Sequence, residues 1–308
     1  MQQSFSSPVI AGMVFNTIVG IGLPFVLVLL LRKKYKLRLG VLFIGASAYI
    51  LADMFALSLV NTGILSIPAL AEFFEANTAV YAFVYGIIYG LIQVGGYYLI
   101  MRYMMKEFYR KENSLLFGVG VRIIDTVMAY GINSGFSLIM VAWAVNARGA
   151  DAYLQTLDPE YMEENRAILE NMMQMPVAEI VLVGTAGIFM MLLSIAVSVL
   201  VFQGVKREGK IHLLAVAAAL SVLNGFMLAL YNDGTIPDVA LYVLLMGLLT
   251  LVSCALAFII FRNDKDEKRG KNDFIAETVN SASAGTSMHD KIARVSQING
   301  RNGDSAKK

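Results

Sequence analysis

Two charged side chains lie three residues apart inside one of the most apolar stretches of this sequence. The stretch 115–133 has the sequence LLFGVGVRIIDTVMAYGIN and carries Arg122 and Asp125. On a helix this spacing puts both side chains on one face, where they can form an ion pair. Because a charge is costly in hydrocarbon, such residues usually face the interior of a helix bundle. The pair indicates either a structural lock between helices or a polar functional site.

Other polar residues in apolar stretches can complete such a site. Asp53 is a second acid, which predicts either a group that exchanges protons or a partner for Arg122 on a neighbouring helix. Gln93 places an amide beside Gly95 and Gly96, where a neighbouring backbone can approach closely. We therefore predict a binding site made of Arg122, Asp125, Asp53, Gln93, Asn133 and Ser194, with Asp125, Gln93 and Asn224 as the candidate catalytic residues.

The sequence lacks the usual hydrolytic and metal-binding motifs. It contains no HExxH, no CxxC, no phosphate-binding loop and no recognisable Ser–His or Cys–His pair. Its two histidines, His212 and His289, are too few for a multi-histidine metal site. Its one cysteine, Cys254, excludes an internal disulfide. We expect no metal, no cofactor and no nucleic-acid partner.

The composition indicates an integral membrane protein. Hydrophobic residues make up 57% of the 308 positions and charged residues 16%, and the mean hydropathy is +0.64. Seven apolar stretches reach the length of about 20 residues that crosses a bilayer as a helix. We predict an all-α, polytopic membrane bundle with a lipid bilayer around it and helices near residues 8–31, 39–60, 79–101, 115–145, 177–202, 211–230 and 238–261.

Basic residues predict the orientation of the bundle. Most lysines and arginines lie in segments 32–38, 102–114 and 203–210 and in the tail from residue 262. Since basic loops remain in the cytoplasm, we predict that the N-terminus lies outside and the C-terminus inside. Residues 1–262 then form the transmembrane domain, and residues 263–308 a mostly disordered, basic cytoplasmic tail.

Three local features refine this prediction. The fourth stretch is long for one span, and its glycines, Gly131 and Gly135, predict a bend or break. Segment 64–75 is apolar with two glutamates and is predicted to lie along the outer membrane surface. The acidic segment 146–176 is predicted to contain a short helix after Pro159.

Small residues also recur four positions apart on the third predicted helix. Ala82, Gly86 and Gly90 form this stripe. Small side chains on one helix face let a second membrane helix approach closely. The stripe therefore predicts a helix–helix contact rather than a ligand site.

Several stretches resemble one known family, the YhfC-type bacterial intramembrane proteases. Residues 11–34 are similar to the family's first helix, and 92–97 (IQVGGY) lie where the family has Glu-Glu-Val-Gly-Arg-Tyr. Residues 117–125 (FGVGVRIID) lie where the family has Phe-Gly-x-Gly-His-Gly-Gly-x-Glu. Residues 193–201 resemble a family helix that normally begins with histidine. The resemblance covers about residues 8–262 and implies a multi-pass protein of a bacterial cell membrane with a protease-like fold.

The chain departs from the family at the positions to which the resemblance assigns catalysis. Asp125 replaces the glutamate that closes the second motif, and it is the one carboxylate kept there. Peptide hydrolysis needs a general base or a metal-bound hydroxide, and neither set is intact. The paired glutamates and the three histidines of the family correspond to Ile92, Gln93, Val121, Ser194 and Leu220.

Three functions remain open at this stage. The first is a catalytically inactive pseudoprotease that binds a peptide or a membrane protein. The second is an active intramembrane peptidase with a non-standard site around Asp125, Gln93 and Asn224. The third is a proton-coupled transporter that uses Asp53, Arg122 and Asp125, although the inverted repeats of many carriers are not evident. The sequence does not indicate an oligomeric state.

Overall fold

The computed structural model describes residues 4–106, 108, 110–157, 162–206 and 210–264. These residues form helices joined by short connections, with no strand among them. Seven of the described helices are long and apolar enough to cross a membrane, which confirms the predicted fold class and number of spans. Nearly all of the predicted tail, from residue 265 onward, lies outside the described residues.

The observed helices closely match the predicted stretches. Short helices α3, α6 and α7 connect spans at the ends opposite the basic loops, and α7 follows Pro159 as predicted. In chain order the helices are α1 (Ser7–Tyr35), α2 (Gly40–Leu65), α3 (Pro68–Ala76), α4 (Thr78–Met104), α5 (Glu112–Arg148), α6 (Ala150–Leu154), α7 (Met162–Gln174), α8 (Val177–Lys206), α9 (His212–Asn232) and α10 (Val239–Asn263).

Three of the spanning helices widen into π-helix along part of their length. The π-helical stretches are Ile18–Gly22 in α1, Tyr49–Ala56 in α2 and Thr126–Ser137 in α5. Such wide turns are rare and occur frequently at functional sites. The stretch in α2 carries Asp53, and the stretch in α5 begins immediately after Asp125.

The fourth span is not broken at Gly131, Asn133 and Gly135, although α-helix changes to π-helix there. Helix α5 continues from Glu112 to Arg148, and its glycines serve close packing. A Cβ atom added at Gly20 of α1 would lie 2.0 Å from the backbone nitrogen of Gly131, and one at Gly135 would lie 2.4 Å from the Thr17 hydroxyl. These glycines therefore let α1 and α5 pack backbone against backbone.

Glycines on helix α5 let two neighbouring helices pack closely against it. A Cβ at Gly118 would lie 2.6 Å from the Cα of Ile195 on α8. A Cβ at Gly120 would lie 2.2 Å from the carbonyl oxygen of Leu42 on α2. The residues from Leu116 to Arg122 are consequently all buried.

The small-residue stripe on α4 forms the contact that the sequence predicts. A Cβ at Gly90 would lie 2.5 Å from Val222 Cγ2 and 2.7 Å from the Val222 backbone nitrogen, both on α9. In return, α9 presents Gly225 to α4, where an added Cβ would lie 2.8 Å from Tyr89 Cβ. The phenol of Tyr89 is thereby fixed in the interior of the bundle.

We predict that Gly90→Ala destabilises the folded protein, whereas Gly95→Ala on the same helix does not. The methyl group at residue 90 would overlap the backbone of α9, and overpacking of this kind costs about 1–3 kcal/mol. A Cβ at Gly95 would meet no packed atom within 4 Å. The control Gly95→Ala should therefore change stability only through the higher helix propensity of alanine. Thermal unfolding in detergent measures both variants. Equal melting temperatures would contradict the packing account.

We also predict that residue 163 is accessible from outside the cell and residue 33 is not. Single cysteines Glu163→Cys and Lys33→Cys, each in a Cys254→Ser background, report this with a membrane-impermeant maleimide. The basic-loop distribution requires labelling of residue 163 in intact cells and of residue 33 only after permeabilisation. The opposite pattern would reverse the predicted orientation.

Candidate functional site

Polar side chains from four helices meet inside the bundle, and we call this group the polar cluster. It lies well inside the spanning helices: Arg122 is ten residues from the start of α5, or about 15 Å at the helical rise of 1.5 Å per residue. A hydrocarbon core is about 30 Å thick, so a helix that enters it near Glu112 would carry Arg122 to near its middle. Its members are Asp53 of α2, Tyr89, Gln93 and Tyr97 of α4, Arg122 and Asp125 of α5, and Asn224 of α9.

Arg122 and Asp125 form the ion pair that their spacing predicts. Nη1 of Arg122 lies 3.0 Å from Oδ2 of Asp125. The arginine side chain is 7% exposed and the aspartate side chain 25%. Nη2 at the other end of the guanidinium donates to the hydroxyl of Tyr89. The guanidinium thus connects a carboxylate on its own helix to a phenol on α4.

The hydroxyl oxygen of Tyr89 is the hub of the cluster. Besides Arg122, Nε2 of Gln93 lies 3.0 Å and Nδ2 of Asn224 lies 3.3 Å from this oxygen, both within hydrogen-bond distance. One oxygen therefore joins helices α4, α5 and α9. We did not single out Tyr89 from the sequence, although it lies four residues before Gln93 on the same helix face and a buried tyrosine hydroxyl usually needs a partner.

Asp53 belongs to the cluster but not to the ion pair. Its Oδ2 accepts hydrogen bonds from Gln93 Nε2 at 3.4 Å and from the Tyr97 hydroxyl at 3.5 Å, both long. The direct ion pair with Arg122 that the sequence left open is not formed. Asp53 is half-buried, and its link to Arg122 runs through Gln93 and Tyr89.

The remaining two predicted site residues differ in their positions. Asn133 is exposed on the π-helical stretch of α5 and makes no hydrogen bond to the cluster. Ser194 of α8 is buried, and its hydroxyl donates to the carbonyl oxygen of Gly118 at 3.1 Å. Its side chain also interacts with the hydroxyl of Tyr97, so Ser194 borders the cluster and joins α8 to α5 at the glycine contact.

Two buried atoms of the cluster lack a hydrogen-bond partner. They are Nε of Arg122, a donor, and Oδ1 of Asn224, an acceptor. Asn224 as a whole is 1% exposed. The protein's own groups therefore leave the cluster incompletely hydrogen-bonded. Each unsatisfied buried polar atom typically costs about 1–3 kcal/mol of stability.

The cluster does not have the donors of a catalytic metal site. Within the described part of the chain, no three histidine, cysteine, aspartate or glutamate side chains are grouped closely enough to hold a metal ion. Zinc in proteins binds cysteine sulfur, histidine nitrogen and carboxylate oxygen. The fixed positive charge of Arg122 already occupies the carboxylate of Asp125 and would repel a metal cation there. The residues present therefore do not fit a catalytic metal.

Comparison with known proteins establishes the family. The YhfC intramembrane metalloprotease family matches residues 19–249, and the chain belongs to this family. It is also 26% identical over 232 residues to the "Uncharacterized membrane protein YhfC" of Bacillus subtilis (strain 168), an alignment that covers 75% of this chain and 88% of that protein. No solved structure matches the chain. The match confirms the resemblance and includes every residue of the polar cluster.

We predict strong energetic coupling between Arg122 and Asp125. Arg122→Leu and Asp125→Leu each strand the other charge in the bundle, a loss of roughly 3–5 kcal/mol for a buried pair. The double variant leaves no orphan charge and should recover much of this loss. Thermal or denaturant unfolding of the four proteins in detergent gives the coupling free energy.

A surface pair provides the matched control for this cycle. Nη1 of Arg166 lies 3.0 Å from Oδ1 of Asp151, but both side chains are exposed. Exposed pairs contribute about 0–1 kcal/mol, so the same leucine cycle at these positions should show little coupling. Simple additivity at Arg122 and Asp125 would contradict a structural ion pair.

Proposed function

We propose that this YhfC-family protein has no peptidase activity and binds a peptide or a membrane-protein partner within the bilayer. The observation that carries the proposal is the position of Arg122. Its guanidinium joins Asp125 to Tyr89 at the centre of the bundle, in a family whose description names a metalloprotease. A fixed side-chain cation supports the fold there but supplies no activated water.

The carboxylates of the cluster are poorly suited to general-base catalysis. Oδ2 of Asp125 already accepts a hydrogen bond from the guanidinium of Arg122 at 3.0 Å, so this oxygen is occupied by a side chain and not by a water to be activated. The one histidine among the described residues, His212, is exposed at the start of α9, away from both carboxylates. The positions that the resemblance aligns with catalytic histidines are Val121 and Leu220, both buried and apolar, and Ser194, which bonds to backbone.

A surface next to the ion pair supports the binding part of the proposal. Residues on both sides of Asp125 in the sequence form an open apolar surface on α5. The carboxylate of Asp125 is 25% exposed but does not line this surface. An apolar helix surface suits a partner helix, since membrane helices associate by close packing. The lining residues are Ile123, Ile124, Val127 and Met128.

We predict that the purified protein contains no stoichiometric zinc and cleaves no membrane peptide. Elemental analysis measures the metal, and mass spectrometry of a panel of single-span reporter peptides in proteoliposomes measures cleavage. Wild type should give no more product than Asp125→Asn, with or without a chelator.

Two results would contradict an inactive protein. One is near-stoichiometric zinc that is lost in Asp125→Asn. The other is cleavage by wild type that Asp125→Asn or the chelator abolishes. Either result would move the assignment to an intramembrane peptidase with a non-standard site.

A further inference from the structure

The polar cluster has more acidic than basic groups. Asp125 has its countercharge in Arg122 at 3.0 Å. Asp53 accepts hydrogen bonds from two neutral donors, Gln93 and Tyr97, at 3.4 and 3.5 Å and forms no direct ion pair with Arg122. A carboxyl group inside a bilayer is neutralised either by a proton or by a countercharge. Asp53 is therefore the acidic group of the cluster that is open to pairing with an additional cation.

A second, independent feature of the cluster also calls for a donor. Oδ1 of Asn224 is a buried acceptor without a partner, and its amide nitrogen donates to Tyr89. Nε of Arg122 is a buried donor without a partner, so hydrogen bonding alone does not select the sign of the ligand's charge. The carboxylate of Asp53 does select the sign of the ligand's charge. An uncompensated charge in hydrocarbon costs several kcal/mol, whereas an unmet hydrogen bond costs about 1–3 kcal/mol.

Aromatic rings lead from one end of helix α4 to the cluster. Successive ring centroids from Phe74 of α3 through Tyr81 and Tyr85 to Tyr89 are 5.6, 5.9 and 6.1 Å apart. Tyr81 and Tyr85 are half-buried. The faces of aromatic rings attract cations, so aromatic surroundings on this side of the cluster suit a positive group better than an anion.

We propose that Asp53 accepts the ammonium group of a lysine carried by the partner's membrane helix. The inference rests on the proposed function and adds the chemistry of the partner. A lysine suits the site because its charge is compact, its three donors rotate freely and its stem is long and flexible. Its apolar stem can lie along the bundle surface while the ammonium reaches inward. Asp53 then obtains a countercharge as Asp125 does from Arg122.

Synthetic single-span helices test this inference. One peptide has a leucine–alanine helix with a single central lysine, and its matched control has glutamine at the same position. Energy transfer between labelled peptide and full-length protein in phosphatidylcholine vesicles measures association. The lysine helix should bind wild type about ten-fold or more tightly than the glutamine helix, since loss of one partner of a buried charge pair is costly.

Variants of the protein identify the acceptor. Asp53→Asn should abolish the preference for lysine, and Asp53→Glu, which keeps the charge, should retain it. Asp151→Asn removes an exposed carboxylate far along the chain from the cluster and should leave the preference unchanged. Asp53→Glu also keeps the test interpretable if Asp53→Asn folds poorly.

The outcomes separate this inference from the proposed function. Three results would each overturn the inference: equal binding of the two peptides, no binding of either peptide, and a lysine preference that survives in Asp53→Asn. Asp53 would then be neutralised by a proton, as in a proton-coupled carrier. Mass spectrometry of the same samples reports on the proposed function. Cleaved peptide would refute the inactive protein even where the lysine preference holds.

Discussion

The need to hold a guanidinium in the middle of a membrane determines the arrangement of this bundle. A charge at that depth is tolerated only when it is paired and screened from lipid. Asp125 supplies the countercharge from the next turn of the same helix, and Tyr89 supplies an acceptor from α4. Helices α4 and α5 are therefore linked through polar groups rather than through apolar packing alone.

Close glycine contacts make this link possible. Gly118 and Gly120 let α8 and α2 pack closely on α5, and Arg122 in the next turn is buried. Gly90 and Gly225 bring α4 and α9 together and fix Tyr89 between them. Membrane helices have no hydrophobic driving force for association, and small residues with a few hydrogen bonds provide the specificity instead.

The sequence predicted those features that depend on one helix at a time. Hydropathy located all seven spans, the four-residue stripe predicted that another helix packs closely on α4, and the three-residue spacing predicted the pairing of Arg122 with Asp125. Contacts between helices were harder to predict, because a span that is apolar all round does not reveal how it is rotated. For this reason the sequence did not reveal Tyr89 and did not decide whether Asp53 pairs with Arg122. The π-helical stretch of α5 changes the rotation further and leaves Asn133 exposed.

The central claim is that Arg122 is the resident cation of this YhfC-family bundle. The most direct measurement is diffraction at the zinc absorption edge from crystals of the purified protein grown with zinc. The account predicts the guanidinium of Arg122 between Asp125 and Tyr89, with no anomalous peak at the cluster. An anomalous peak bound by Asp53 or Asp125, with Arg122 turned away, would contradict it.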